Sequence, residues 1–166
     1  VASLETTRRD LRADILRVAV HLFGERGYSA TSMREIVERC GCTKPALYYY
    51  FSSKEDLFQH AVAQEVAAVT DIIRASTDAP GPVRDRITAA LRAFTERMRA
   101  APEALRLLHR IDHEHESEMP DTDSMATRAT HMQMMIGLIE QGIESGEIRS
   151  DLDPFDVAIT LNGAIN

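Results

Sequence analysis

An all-α fold is predicted by three observations. Apolar residues recur at three- and four-residue steps along most of the chain, proline and glycine fall at the joints between those stretches, and no segment alternates as a strand does. The arrangement expected is an N-terminal three-helix helix-turn-helix module over residues 1–54, joined by a long helix to a second helical domain over residues 55–166.

From about Arg8 to Arg26 the stripe Leu11, Ile15, Val18, Ala19, Leu22 and Phe23 marks one packed face, and Gly27 ends the helix. Ser32 with Glu35 three residues on reads as a capping box that opens a second helix burying Met33, Ile36 and Val37. That helix stops at Cys40-Gly41-Cys42. Thr43 can then cap a third helix, and Pro45 is tolerated in its first turn, where the amides lack intrahelical partners. This short helix carries Lys44 at its front, the phenols Tyr48, Tyr49 and Tyr50 along its middle, and Leu47 and Phe51 four apart to seat it on a core. Two helices across a tight turn, the second with exposed polar groups, is the helix-turn-helix, whose second member enters the major groove of DNA.

Ser53 caps a long helix from about Lys54 to Ala75. Asp78-Ala79-Pro80-Gly81-Pro82 is the clearest break, and further helices are expected over about 82–100, 102–116, 124–145 and 154 to the end. Pro102 and Pro154 stand at first helical positions, and Gly146 stops the helix before the last.

The runs Gly27-Tyr28-Ser29-Ala30-Thr31-Ser32-Met33-Arg34-Glu35-Ile36 and Gly41-Cys42-Thr43-Lys44-Pro45-Ala46-Leu47-Tyr48-Tyr49-Tyr50-Phe51-Ser52-Ser53-Lys54-Glu55-Asp56-Leu57 resemble the DNA-binding half of the tetracycline-repressor (TetR) family of transcriptional regulators. The resemblance covers roughly fifty residues with spacing intact. It departs at Tyr50, commonly histidine in the family, and at Cys40 and Cys42, where alanine and valine are usual. It implies a cytoplasmic homodimer that binds double-stranded DNA at a pseudo-palindromic operator and is released by a small-molecule inducer, with the long helix tilting when ligand is bound. No enzyme activity and no cofactor are expected.

The resemblance assigns phosphate contacts to Tyr48, Tyr50 and Lys54. Lys44, in the exposed first turn, is expected at a base edge or phosphate, with Pro45 and Ala46 beside it, while Tyr49 either joins them or packs. Thr31, Ser32 and Thr43 read as caps that also present free helix amides to phosphate. Cys40 and Cys42 read as small turn residues rather than a redox or metal pair.

Charge supports the division. The formal net charge is -7, yet residues 1–54 hold 9 Lys/Arg against 6 Asp/Glu, a net of +3, and residues 55–166 hold 10 against 20, a net of -10. The only two lysines, Lys44 and Lys54, flank the third helix. Phosphate attraction depends on local cation density and not on the total. No apolar run reaches the ~18 residues that would span a bilayer, and no leader is visible at the start. The chain opens on Val1 and ends uncapped at Asn166, so further residues are expected at both ends.

Behind the module, Leu91, Phe94, Met98, Leu105, Leu108, Met132, Met135 and Ile136 are the candidates for lining a ligand pocket. Six of the seven methionines lie from Met98 to Met135, and flexible thioethers adapt to varied apolar ligands. Some members of the resembled family with a tail like Gly146-Glu147-Ile148-Arg149 and Asp151-Leu152-Asp153-Pro154 respond to acyl thioesters, so the resemblance offers such a ligand as one candidate inducer. Arg92, Arg97, Arg99, Arg106 and Arg110 are candidates for the phosphates of such a ligand, against ordinary ion pairing with acidic neighbours. His109 and His113, four apart with Asp112 and Glu116 alongside, offer an alternative: a helical metal-binding protein without operator binding. The seams Met132, Met135 or Ile136, Ile139, Ile143 and Phe155, Ala158, Ile159 on the last two helices are expected to form a dimer bundle.

Overall fold

The computed structural model describes residues 2–113, 119–122 and 124–163. These form eight helices: α1 (Ala2–Arg26), α2 (Met33–Cys40), α3 (Lys44–Tyr50), α4 (Lys54–Asp78), α5 (Val83–Ala100), α6 (Pro102–His113), α7 (Ser124–Glu144) and α8 (Pro154–Gly163). The all-helical expectation holds. Among the described residues no helix is long and apolar enough to cross a membrane.

Two structural units result. The first gathers residues 1–66 with 101–122, and the second 67–100 with 123–166.

The first unit is built on the stripe of α1. Ile15, Leu16, Ala19, Leu22 and Phe23 are buried together with Ile36 of α2, Leu47 of α3, Phe51, and Leu57, Phe58, Ala61 and Val62 of α4. Phe23 and Phe58 meet edge to face at 5.1 Å, and Tyr28 closes the group at 4.9 Å from Phe58. The interior is completed by a distant helix: Ala104, Leu107 and Ile111 of α6 lie in this same core.

α6 sits close on α1 because Gly24 has no side chain. A Cβ there would stand 2.3 Å from the carbonyl oxygen of Glu103. Two arginines of α6 fasten the contact. Arg106 Nη2 pairs with the Glu25 carboxylate at 2.8 Å, and Arg110 donates from Nε to the Gly24 carbonyl at 3.0 Å and from Nη2 to the Glu25 carbonyl at 3.4 Å. The last carbonyls of a helix lack intrahelical donors and carry partial negative charge, so a guanidinium is their natural partner.

In the second unit Val83, Leu138, Ile139 and Ala158 are buried. Arg86 of α5, itself buried, donates from Nε to the Ser76 carbonyl at 2.8 Å, from Nη2 to the Thr77 carbonyl, and from Nη1 to Gln141 Oε1 at 3.1 Å. One guanidinium thus closes the end of α4 and ties it to α7. The start of α5 is closed by Glu147, whose carboxylate accepts from the Arg84 amide at 3.3 Å. The amides of Val83 and Arg84 hold this carboxyl below the ordinary range, against the opposing effect of burial.

Candidate DNA-reading surface

Each part of the surface is placed by a local cap. Ser32 Oγ accepts from the Glu35 amide at 3.2 Å to start α2. The expected box is half formed, because the Glu35 carboxylate is turned to Arg26 at 2.6 Å and Arg39 at 3.7 Å. Gly41 ends α2 at φ 67°, a left-handed conformation open to glycine, and Thr43 Oγ1 starts α3 by accepting from the Ala46 amide at 3.3 Å. Pro45 falls in the first turn of α3.

Four side-chain rows run along α3. Leu47 is fully buried, and Phe51 behind it likewise. Ala46 and Tyr50 are half-buried, whereas the rows Lys44/Tyr48 and Pro45/Tyr49 are exposed. Tyr49 is 68% exposed and Tyr48 42%. The phenol that packs is Tyr50, which meets Tyr49 edge to face at 5.0 Å and Phe51 at 6.5 Å. Lys44 Nζ lies 5.7 Å from the Tyr48 ring centre, so cation and phenol occupy one outward strip.

Lys54 is held by two groups. Its Nζ stands 4.2 Å over the Tyr28 ring and 3.4 Å from the Ser29 carbonyl, an arrangement that fixes a long side chain near the start of α2. Tyr28 is the supporting residue that the sequence reading left unassigned. The available signal was the aromatic directly after Gly27, with no place on the apolar stripe of α1. The start of α4 is made firm by Ser53, whose Oγ accepts from the Asp56 amide at 3.0 Å. Asp56 in turn accepts from the Ser52 amide at 2.7 Å and the Ser52 hydroxyl at 3.0 Å, and its Oδ1 meets His60 at 3.0 Å. These bonds, led by the Ser52 amide, hold the Asp56 carboxyl below its ordinary range.

Thr31 requires a correction. It is buried, and its hydroxyl faces the carbonyls of Gly27 at 2.8 Å and Leu22 at 3.3 Å. Its side chain locks the turn after α1 and does not cap α2 or face a phosphate. Ser32 and Thr43 remain exposed at their helix starts.

The pocket candidates are all half-buried, but they do not fall in one unit. Leu105 and Leu108 stand on α6 in the first, whereas Leu91, Phe94, Met98, Met132, Met135 and Ile136 belong to the second. A polar pair accompanies the second set: Thr70 Oγ1 of α4 lies 2.7 Å from His131 Nε2 of α7. Burial holds this imidazole below its ordinary value and so favours its neutral form. Of the arginines considered for phosphate, Arg106 and Arg110 are engaged with α1. The His109/His113 alternative rests on Asp112, His113 and Glu116, whose side chains lie outside the described residues. Among the described residues no group of three His, Cys, Asp or Glu is placed to hold a metal.

A capped short helix with a buried apolar row and an outward strip of cation and phenols, set across a glycine turn from a second helix, defines a helix-turn-helix DNA-binding protein. Residues 15–61 match the family described as bacterial regulatory proteins, tetR family. A solved transcriptional regulator of the TetR/AcrR family from Thermobifida fusca is 35% identical, aligns over 94% of this chain and 82% of its own, and superposes with a TM-score of 0.65. The chain belongs to the TetR family of transcriptional regulators. The transcriptional activator FasR of Mycolicibacterium smegmatis is 34% identical over 126 residues, which are 74% of this chain and 56% of FasR. The chain thus spans little more than half the length of that relative. The repressor KstR2 of the same organism is 25% identical over 158 residues, 91% of this chain and 72% of KstR2.

Proposed function

We propose that the chain is a repressor that binds a pseudo-palindromic operator as a homodimer and is released by an apolar small molecule. Residues 1–54 form the DNA-reading part and 55–166 the ligand and dimer part. The observation that carries this reading is the outward strip of α3, with Lys44, Tyr48 and Tyr49 exposed while Leu47 and Phe51 are buried behind them. Lys44, Pro45, Ala46 and Tyr49 face base edges. Ser32, Thr43, Tyr48, Tyr50 and Lys54 take phosphates, helped by the free amides at the starts of α2 and α3. Repression is the reading adopted, with KstR2, a repressor, aligning over 91% of this chain at 25% identity and FasR, an activator, over 74% at 34%.

Two further observations support the remainder. Phe155 and Ile159 on α8 are 50% and 46% exposed in the single chain, an apolar strip that a second copy would cover. Leu91, Phe94, Met132, Met135 and Ile136 are half-buried apolar side chains of the second unit, and the neutral His131 beside Thr70 suits an uncharged hydrogen-bonding group on the ligand. With Arg106 and Arg110 engaged on α1, a ligand with an apolar body fits better than one held by its phosphates.

The test is a set of three variants measured on matched and single-base-changed operator duplexes. Lys44→Ala should cost about 1–3 kcal/mol and change base preference at one position. Lys54→Ala and Tyr48→Phe should weaken all duplexes alike, with the salt slope of Lys54→Ala reduced by about 1. Operator affinity unchanged in all three would remove this docking.

A further inference from the structure

Among the described residues of the first unit, the arginines are engaged by carboxylates or carbonyls with one exception. Arg17 pairs with Asp14, Arg34 with Glu38, Arg26 and Arg39 with Glu35, and Arg106 with Glu25, while Arg110 donates to the carbonyls of Gly24 and Glu25. Arg12 of α1 differs. Its guanidinium is exposed and lies 5.3 Å over the Phe51 ring, and among the described residues no carboxylate or carbonyl takes it.

Phe51 is the C-cap of α3 and is fully buried, so Arg12 marks the end of that helix. An aromatic face holds a guanidinium in place without neutralising its charge. Asp56, at the start of α4, does not compete for it: that carboxylate is taken by the amide and hydroxyl of Ser52 and by His60, whose ring meets Phe51 at 5.5 Å. The front of α3 carries the same device, with Lys44 Nζ 5.7 Å from the Tyr48 ring centre. Each end of α3 thus has a cation set on an aromatic ring.

We propose that Arg12 is a phosphate-binding residue of the DNA-reading surface, contacting the backbone from α1. The inference rests on the function proposed above and adds to it a helix that took no part there. Seven residues at about 1.5 Å each make α3 roughly 10 Å long, and the major groove is about 12 Å wide between its phosphate walls. A helix of that length in the groove brings both ends near phosphate, and a cation waits at each. The guanidinium suits the task, because its planar fork of donors grips a phosphate with two bonds while one face stays stacked. A paired arginine would have to give up its carboxylate first; Arg12 gives up none. A guanidinium that only complemented the carbonyl end of α3 would stabilise the fold and leave DNA affinity alone.

The experiment measures binding to a duplex of about 30 base pairs and arbitrary sequence, by fluorescence anisotropy between about 50 and 200 mM salt. Phosphate contacts are independent of sequence, so no operator is needed. Arg12→Gln and Arg12→Met should each lower the salt slope by about 1 per bound chain and the affinity at about 50 mM salt by roughly tenfold. Arg12→Lys keeps a charge at the site and should hold a slope close to that of the wild type. Arg17→Gln removes the same charge from the same helix, but from a paired residue, and should leave the slope unchanged. Urea unfolding followed by tyrosine emission confirms that each variant is folded, since Tyr28, Tyr48, Tyr49 and Tyr50 all lie in the first unit. A wild-type slope in folded Arg12→Gln or Arg12→Met overturns the inference, and so does an equal loss in Arg17→Gln. Lys54→Ala separates this failure from that of the docking itself. A slope lowered in Lys54→Ala alone removes Arg12 and keeps the docking, a slope lowered in Arg12→Gln alone supports Arg12 and removes Lys54, and no duplex binding by the wild type overturns both.

Discussion

Gly24→Ala sets two effects of opposite sign against each other. By helix propensity alone, alanine in place of glycine near the end of α1 stabilises by up to about 1 kcal/mol. By packing, the new methyl group would stand 2.3 Å from the Glu103 carbonyl oxygen and 3.1 Å from its carbon, both of them backbone atoms that cannot rotate away. α6 must then move out by roughly an ångström, which lengthens the bonds of Arg110 to Gly24 and Glu25 and loosens Ala104 and Leu107 in the core. Overpacking of this kind costs about 1–3 kcal/mol and a weakened charge-assisted bond adds about 1–2. The net expectation is a loss of about 1–4 kcal/mol. The assay is urea unfolding followed by tyrosine emission, which reports the first unit alone because the chain has no tryptophan and its four tyrosines lie there. A midpoint equal to or above that of the wild type would refute the close α1–α6 crossing.

Further outcomes are expected from the same physics. Arg86→Ala should lower thermal stability measured by circular dichroism by about 2–3 kcal/mol, because the carbonyls of Ser76 and Thr77 and the side-chain oxygen of Gln141 lose a buried charged donor; no change would show the guanidinium to be idle. Gly41→Ala should cost about 1 kcal/mol in the urea assay although nothing lies within 4 Å of its Cβ position, since the loss comes from φ 67° and not from contact. The Asp56 carboxyl is held below its ordinary value in the folded chain, so its bonds stabilise above the unfolded value near 3.8 and are lost as pH falls through the folded one. Asp56→Asn should accordingly flatten the decline in stability below about pH 4, and an unaltered acid limb would contradict the assignment.

The reading surface was legible in the sequence because its devices are local. Ser32, Gly41, Thr43 and Ser53 each act within four residues of themselves, and the spacing of Leu47 and Phe51 settles which side of α3 faces out. What the sequence hid depends on partners far along the chain. Arg106 and Arg110 read as candidates for ligand phosphates or for ion pairs with acidic neighbours, and only the fold shows their partners on α1, 81 and 86 residues away. Thr31 looks like one more cap in a run of hydroxyls; burial at the turn after α1 turns it inward. Tyr50 and Tyr49 carry the same phenol, and their different exposures follow from one helical step of about 100°.

The central claim is that the outward strip of α3 reads a sequence. It is tested most directly by selecting bound fragments of the source genome with the purified chain at low and at moderate salt, beside Lys44→Ala. The account predicts that one recurring palindrome with half-sites about one helical turn apart survives moderate salt, and that Lys44→Ala changes or abolishes it. Recovery of sequence-indifferent fragments that vanish as salt rises, with wild type and variant alike, would contradict it.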